Sequence, residues 1–215
     1  MAERTLLAQL AALSVNVNGL IIPAGFVQKT LGRHAFNLVV HNDHLTFKLS
    51  LVGSATAVRF KNRFILLCTY HQLKGVDPER VSMMKDDGSF LVTSGGFRSY
   101  TVSDDTDAFD LVAFDFSDPV VEHPELKKRF FDLVDVPPDT PTVNILAFLL
   151  TGFPSAKQTY ELEDKNHLGL AKLNIVCLPD GQPNDPALLR VKAETPLKID
   201  PDGLSGGSAF VVQFH

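Results

Sequence analysis

Short apolar segments that alternate with polar turns run along most of this chain. Residues 55–60 and 64–69 are two such segments, and the polar triplet Lys61-Asn62-Arg63 joins them as a hairpin turn. In the C-terminal half, the same pattern predicts strands at 143–151, 158–163, 168–178, 188–193 and 208–214. Many short strands with frequent turns are typical of a barrel or a sandwich rather than of a parallel sheet. The pattern therefore predicts an all-β fold.

The N-terminal quarter of the chain carries two further patterns. Residues 3–13 space their leucines so that these fall on one helical face, which predicts an amphipathic helix. Residues 15–52 contain glycine and asparagine turns and predict several short strands, and residues 45–51 alternate apolar and polar positions cleanly.

A change in composition divides the chain in two. Residues 117–141 are acidic and contain prolines, with a short helix predicted at 124–133. This segment is predicted to cross over from an N-terminal unit, residues 1–116, to a C-terminal unit, residues 142–215.

The glycine-rich run Gly203-Leu204-Ser205-Gly206-Gly207 predicts a tight turn that leads into a strand. A serine on such a turn can lie beside backbone N–H groups that point at the same spot, as in a nucleophile next to an oxyanion hole. A glycine-rich hairpin turn without chemistry explains the five residues equally well. The run also satisfies the nucleophile-elbow pattern, but that pattern needs an acid downstream, and no Asp or Glu follows Ser205. Partners for this serine must therefore lie upstream.

Two upstream segments supply candidate partners. The apolar strand 64–69 leads directly to His71, and an acid-rich loop around residues 104–107 leads through Asp110 into another apolar strand. The chain order is His71, Asp110, Ser205, with an interval of 39 positions from the first to the second and of 95 from the second to the third. A histidine, an aspartate and a serine at the ends of different strands are the residue types of a base-activated nucleophile.

These segments resemble the trypsin-like, chymotrypsin-fold serine proteases, particularly the bacterial ones. The stretch Leu66-Leu-Cys-Thr-Tyr-His71 resembles the "TAAH" element of that family, Asp110-Leu-Val-Ala-Phe resembles "DIALL", and Asp202-Gly-Leu-Ser-Gly-Gly-Ser208 resembles "GDSGGP". Gly152-Phe-Pro154 is similar to a "GYP" element of bacterial members. The resemblance covers residues 50–215.

The resemblance implies two six-stranded-type antiparallel β-barrel lobes with the active site in the cleft between them. Family members continue for two more strands, so the second barrel is expected to be truncated at its C-terminus or completed differently, and further domains beyond His215 are compatible with this. The implied activity is that of a serine endopeptidase acting on polypeptides without a cofactor or metal. The alternative is a catalytically silent protease-fold module that binds or regulates.

The resemblance also implies a role for each site residue. Ser205 is the expected nucleophile, His71 the general base and Asp110 the residue that orients the imidazole. The backbone N–H groups of Gly203 and Ser205 are the expected oxyanion hole. Ile199, six positions before the serine, is the expected substrate pocket residue and favours an apolar P1 side chain. If the alignment shifts, Asp200 or Asp202 takes the place of Ile199 and the pocket is acidic.

Leu204 departs from the family pattern, which has an acid at this position. Leucine cannot capture the new N-terminal ammonium that activates secreted zymogens. The sequence therefore predicts that no proteolytic cut is needed and that packing, a partner or a further segment orders the turn.

Composition limits the other possibilities. The net charge of −5 does not favour binding to nucleic acid. The sequence contains no run of 18 apolar residues, so it predicts no membrane-spanning helix. Cys68 and Cys177 lie in apolar segments and are predicted to be buried free thiols, which suits a reducing, cytoplasmic location. His41 and His44 lack further ligands for a metal site, and the acidic loop at 104–107 is interpreted as solvated rather than calcium-binding.

Overall fold

A computed structural model describes residues 14–85, 88–100, 110–133, 144–161, 167–182 and 188–213. Antiparallel sheets dominate these ranges, so the predicted all-β fold is confirmed. The helix predicted at 3–13 and the acid-rich loop at 104–107 lie outside the described residues.

Sixteen strands and two α-helices are present in the described ranges. The strands are β1 Ser14–Val17, β2 Leu20–Pro23, β3 Ala35–His41, β4 Leu49–Phe60, β5 Arg63–Cys68, β6 Val81–Met84, β7 Leu91–Thr93, β8 Gly96–Ser99, β9 Val112–Asp115, β10 Phe131–Asp132, β11 Ile145–Gly152, β12 Thr159–Glu161, β13 His167–Gly169, β14 Leu173–Pro179, β15 Val191–Ala193 and β16 Ser208–Gln213. The helices are α1 Ala24–Gly32 and α2 Ser117–Glu122. Strands β1 and β2 form a hairpin, and β12 and β13 form a second small ribbon.

The first large sheet has eight strands in the described ranges, where the resemblance implied six. Its antiparallel order is β7-β6-β3-β4-β5-β9-β8, and β10 adds to β4 in parallel. Large apolar side chains of the core cluster packed on this sheet are fully buried: Phe36, Leu38, Leu66, Phe114 and Phe116. Residues 45–51 and 55–60 were predicted as separate strands, but β4 is continuous from Leu49 to Phe60. Its pairing with β3 shifts register at Val52, which is the extra residue of a β-bulge. The bulge lies between the two segments that the sequence pattern indicated as separate strands.

The second large sheet has the order β15-β14-β11-β16 in the described ranges. One of its faces packs against α1 and the β1–β2 hairpin through Leu149, Phe210 and Val212. The predicted strands at 143–151, 188–193 and 208–214 correspond to β11, β15 and β16, whereas the segment predicted at 168–178 contains two strands, β13 and β14.

Two local predictions differ from the structure, the first wholly and the second in part. Residues 24–32 form helix α1 rather than strands, because Val27 and Leu31 are spaced by four residues and both face the core, while Pro23 precedes the first turn. The short helix predicted at 124–133 is a 3-10 helix that spans only Pro124–Arg129 and is followed by strand β10, while the α-helix of this region, α2, lies before it. Pro124 disfavours helical backbone at the residue before it and so separates the two helical pieces.

The helices in the described part of the chain are few and short. Across the described ranges, none of them combines the length and the apolar character that a membrane crossing requires. Cys68 and Cys177 are both buried free thiols, which confirms the prediction made for them.

Candidate active site

The ends of three strands bring His71, Asp110 and Ser205 together. His71 opens a short 3-10 helix just after β5, and Asp110 lies just before β9. Because β5 and β9 are paired neighbours, with Cys68 opposite Val112, the ends of these strands place the histidine beside the aspartate. Ser205 comes from the turn before β16, on the second sheet.

A continuous series of hydrogen bonds joins the three side chains. The backbone N–H of His71 donates to Asp110 Oδ1 at 2.7 Å, and the imidazole Nδ1 contacts Asp110 Oδ2. On the other side of the ring, Nε2 lies 3.1 Å from Ser205 Oγ. With Nδ1–H donating to the carboxylate, Nε2 is free to accept the serine proton. The imidazole is more than half exposed, so a substrate can reach this edge of the site.

The turn that carries Ser205 depends on its glycines. Gly203 has a φ of +87° and Gly206 a φ of +76°, both in the left-handed region. A Cβ atom at Gly203 would lie 2.7 Å from the carbonyl oxygen of Phe153 and 2.8 Å from the backbone nitrogen of Ser155. Both neighbours are backbone atoms that cannot move aside easily, so a side chain at position 203 would displace the turn.

The backbone N–H groups of Gly203 and Ser205, the predicted oxyanion hole, remain available. Within the described part of the chain they donate no hydrogen bond. The carbonyl groups of the same residues are bound: Gly203 O accepts from the hydroxyl of Ser54 at 2.7 Å, and Ser205 O accepts from the backbone N–H of Ser54 at 3.2 Å. Sequence reasoning missed Ser54, because a small polar residue in a strand also fits an ordinary solvent-facing position.

Leu204 anchors the turn by packing. Its side chain is partly buried against the cluster formed by Phe148, Ile175 and Cys177 on the second sheet. Its backbone N–H donates to Pro201 O at 3.0 Å, and its carbonyl accepts from Gly207 N at 2.9 Å. An uncharged side chain thus occupies the position where the resemblance placed an acid.

Ile199 lines a cavity that contains none of the three site residues. This cavity of about 400 Å³ lies between β14 and residues 194–199, and Lys157 also lines it. Among the described residues that line this cavity, none is His71, Asp110 or Ser205. The structure therefore does not bring the predicted pocket residue together with the serine. The nearby Asp200 accepts a hydrogen bond from Asp202 N at 3.0 Å and so stabilises the approach to the turn.

Other candidates for chemistry find no support as nucleophiles or ligands. Burial raises the pKa of the Cys68 thiol to about 12, so this cysteine stays protonated and unreactive near neutral pH. In the ranges that the structure describes, no three His, Cys, Asp or Glu side chains converge on one point as metal ligands.

Comparison with known proteins assigns no family. No protein-family model matches the chain, and a search of curated proteins finds no match either. The function of the site therefore has to be inferred from its own geometry.

Proposed function

We propose that this chain is a serine-type endopeptidase of the trypsin-like kind. One observation carries the proposal: hydrogen bonds link Asp110 to His71 and His71 to Ser205, in the order that activates a serine. Supporting this, two N–H groups on the same turn as the serine have no acceptor among the described residues.

In the first half of the reaction, Ser205 Oγ attacks the carbonyl carbon of a peptide bond, and its proton passes to His71 Nε2. The carbonyl oxygen becomes an oxyanion that accepts hydrogen bonds from the N–H groups of Gly203 and Ser205. The carbon–nitrogen bond then breaks, and His71 returns the proton to the leaving amine. This step leaves an acyl-enzyme on Ser205.

In the second half, water replaces the amine. His71 takes a proton from the water, whose oxygen attacks the acyl carbon, and the bond to Ser205 Oγ breaks with return of the proton to the serine. Asp110 holds the imidazole in the required tautomer and stabilises the imidazolium that forms twice in each cycle. The substrate is a polypeptide, and the reaction consumes one water for each bond cleaved.

A fluorophosphonate probe tests the proposal directly, because it forms a covalent bond only with an activated serine. We expect the intact chain to be labelled and Ser205→Ala to be unlabelled. Ser99→Ala is the matched control, since it removes an exposed serine from β8 on the first sheet. Asp110→Asn should lower turnover of an unstructured polypeptide by about 10⁴-fold, because the tautomer is no longer fixed.

Absence of labelling in the intact chain would contradict the proposal and favour a silent module that only binds. Equal labelling of Ser205→Ala and the intact chain would show that another residue reacts. Loss of labelling in Ser99→Ala would show that the probe reports folding rather than the nucleophile.

A further inference from the structure

Ser54 lies on β4 and is fully buried, and its backbone N–H, its carbonyl and its hydroxyl each form hydrogen bonds. Its backbone N–H donates to Ser205 O at 3.2 Å, and its hydroxyl donates to Gly203 O at 2.7 Å. The same hydroxyl accepts from the backbone N–H of Phe153 at 2.7 Å, and the Ser54 carbonyl accepts from Gln72 Nε2 at 3.1 Å. The Phe153 contact leaves the hydroxyl proton directed at Gly203 O.

These contacts fix the peptide planes of the serine turn. A peptide group is planar, so binding a carbonyl oxygen also sets the direction of the N–H in the same plane. The carbonyl of residue 202 is bound by Ser155 N and that of residue 204 by Gly207 N, which orients the two proposed oxyanion donors. Ser54 binds the carbonyls of residues 203 and 205. The four consecutive peptide planes from residue 202 to residue 206 are therefore all held by hydrogen bonds.

The hydrogen bonds of Ser54 to Gly203, Ser205 and Phe153, together called the Ser54 clamp, also join the two sheets. Ser54 belongs to the first sheet, whereas Phe153 directly follows β11 and the turn 203–205 precedes β16 of the second sheet. On the same strand, Thr56 Oγ1 donates to Gly206 O at 3.0 Å and extends the contact by one residue. A Cβ at Gly152 would lie 2.8 Å from Ser54 Oγ, so the hydroxyl sits in a space matched to its size.

We propose that Ser54 is a positioning residue that holds the turn 203–205 in the form that receives the oxyanion. This inference rests on the proposed function for its catalytic consequence, but its geometric part can be tested separately. Ser54 does not contact the substrate. It acts by binding the carbonyl groups of Gly203 and Ser205, whose peptide planes lie on either side of the plane that carries the Ser205 N–H.

The experiment compares Ser54→Ala, which removes the hydroxyl, with Ser82→Ala as the matched control. Ser82 is equally buried on the same sheet, but its hydroxyl pairs with Thr93 away from the turn. Ser54→Cys keeps a side chain of similar shape with a weaker donor and acceptor, and serves if the alanine variant does not fold. Amide hydrogen exchange at Phe153, measured by NMR on the full chain, reports the geometry without reference to activity.

We expect the Phe153 amide to exchange faster in Ser54→Ala, and to be unchanged in Ser82→Ala. Fluorophosphonate labelling should slow by about 10- to 100-fold, short of the 10²–10³-fold cost of deleting an oxyanion donor itself. The effect should appear in kcat rather than in KM, and the pH midpoint of labelling should stay fixed, because His71 is untouched. The labelling rate of Ser54→Cys should fall between the rates of Ser54→Ala and of the intact chain.

Labelling of Ser54→Ala at the rate of the intact chain would overturn the inference while leaving the protease proposal in place. Unchanged exchange at Phe153 would overturn it as well. If the intact chain is never labelled, the protease proposal fails, and faster exchange at Phe153 together with shifted amide resonances at 203–205 would still support Ser54 as the residue that holds the turn.

Discussion

His34 gives the structure a quantitative dependence of stability on pH. This residue is 2% exposed, between α1 and β3. Its Nδ1–H donates to Arg129 O at 2.8 Å, and its Nε2 accepts from Arg33 Nε at 3.2 Å, so the neutral ring is fully satisfied. Burial lowers the pKa of His34 from 6.5 to about 4, against the raising effect of the Arg129 carbonyl. The charges of Arg33, Arg129 and Lys172 lower the pKa further.

The direction in which stability changes with pH depends on whether the folded or the unfolded state binds the proton first as the pH falls. In the unfolded chain His34 binds a proton below about pH 6.5, whereas in the folded chain it does so only near pH 4. The unfolded state therefore gains protons first as the pH falls, and the folded state loses relative stability across this window. A tenfold difference in proton affinity between the two states corresponds to about 1.4 kcal/mol, so the free energy of unfolding should fall by about 3 kcal/mol between pH 7 and pH 4 from this residue alone.

Urea denaturation of the intact chain and of His34→Gln, from pH 4 to pH 7.5, measures this contribution. The chain has no tryptophan, so circular dichroism is the suitable signal. The difference in unfolding free energy between the two proteins should shrink by about 3 kcal/mol on acidification. His41→Gln removes an exposed histidine at the far end of β3 and serves as the control. A difference that stays constant over the whole range would refute the reasoning.

Two further outcomes are expected from the site itself. Because the cavity that Ile199 lines contains none of the three site residues, Ile199→Asp and Leu197→Asp should both leave the P1 profile of a peptide library unchanged; a shift toward basic P1 side chains in Ile199→Asp alone would restore the predicted pocket role of Ile199, and an Arg or Lys preference in the intact chain would point to Asp200 or Asp202. Removing residues 1–14 should leave the number of titratable active sites unchanged, because packing of Leu204 orders the turn; sites that appear only after trimming would reveal a zymogen-like mechanism.

The sequence pattern was sufficient to find His71, Asp110 and Ser205, for a physical reason. Each lies at the end of a short apolar strand or in a glycine turn, and such boundaries are marked locally by polar and glycine residues. These boundaries lie next to one another in the fold, and this brings the three side chains into contact. The geometry of the three residues agrees with the order predicted, while their catalytic roles stay a prediction.

Features that depend on distant contacts were not predictable in the same way. Ser54 is buried by a turn some 150 positions away, and nothing in its own strand distinguishes it from a residue facing water. Helix α1 spans nine residues and shows its helical spacing once, through Val27 and Leu31. Ile199 was located by counting back from Ser205, but a position along the chain does not determine which wall of a cavity the side chain lines.

The long sequence separation of the clamp has a consequence for when the site comes into existence. Ser205 meets His71 across 134 positions of the chain, and Gly203 on the same turn meets Ser54 across 149. Contacts this distant form late, because the entropy of closing the intervening chain must be overcome before they stabilise anything. The first sheet can fold while the second is still being synthesised, and during that time Ser205 has no base beside it and is an ordinary alcohol. Under the proposed function, a nascent chain therefore cannot cleave its neighbours until its own second sheet has formed.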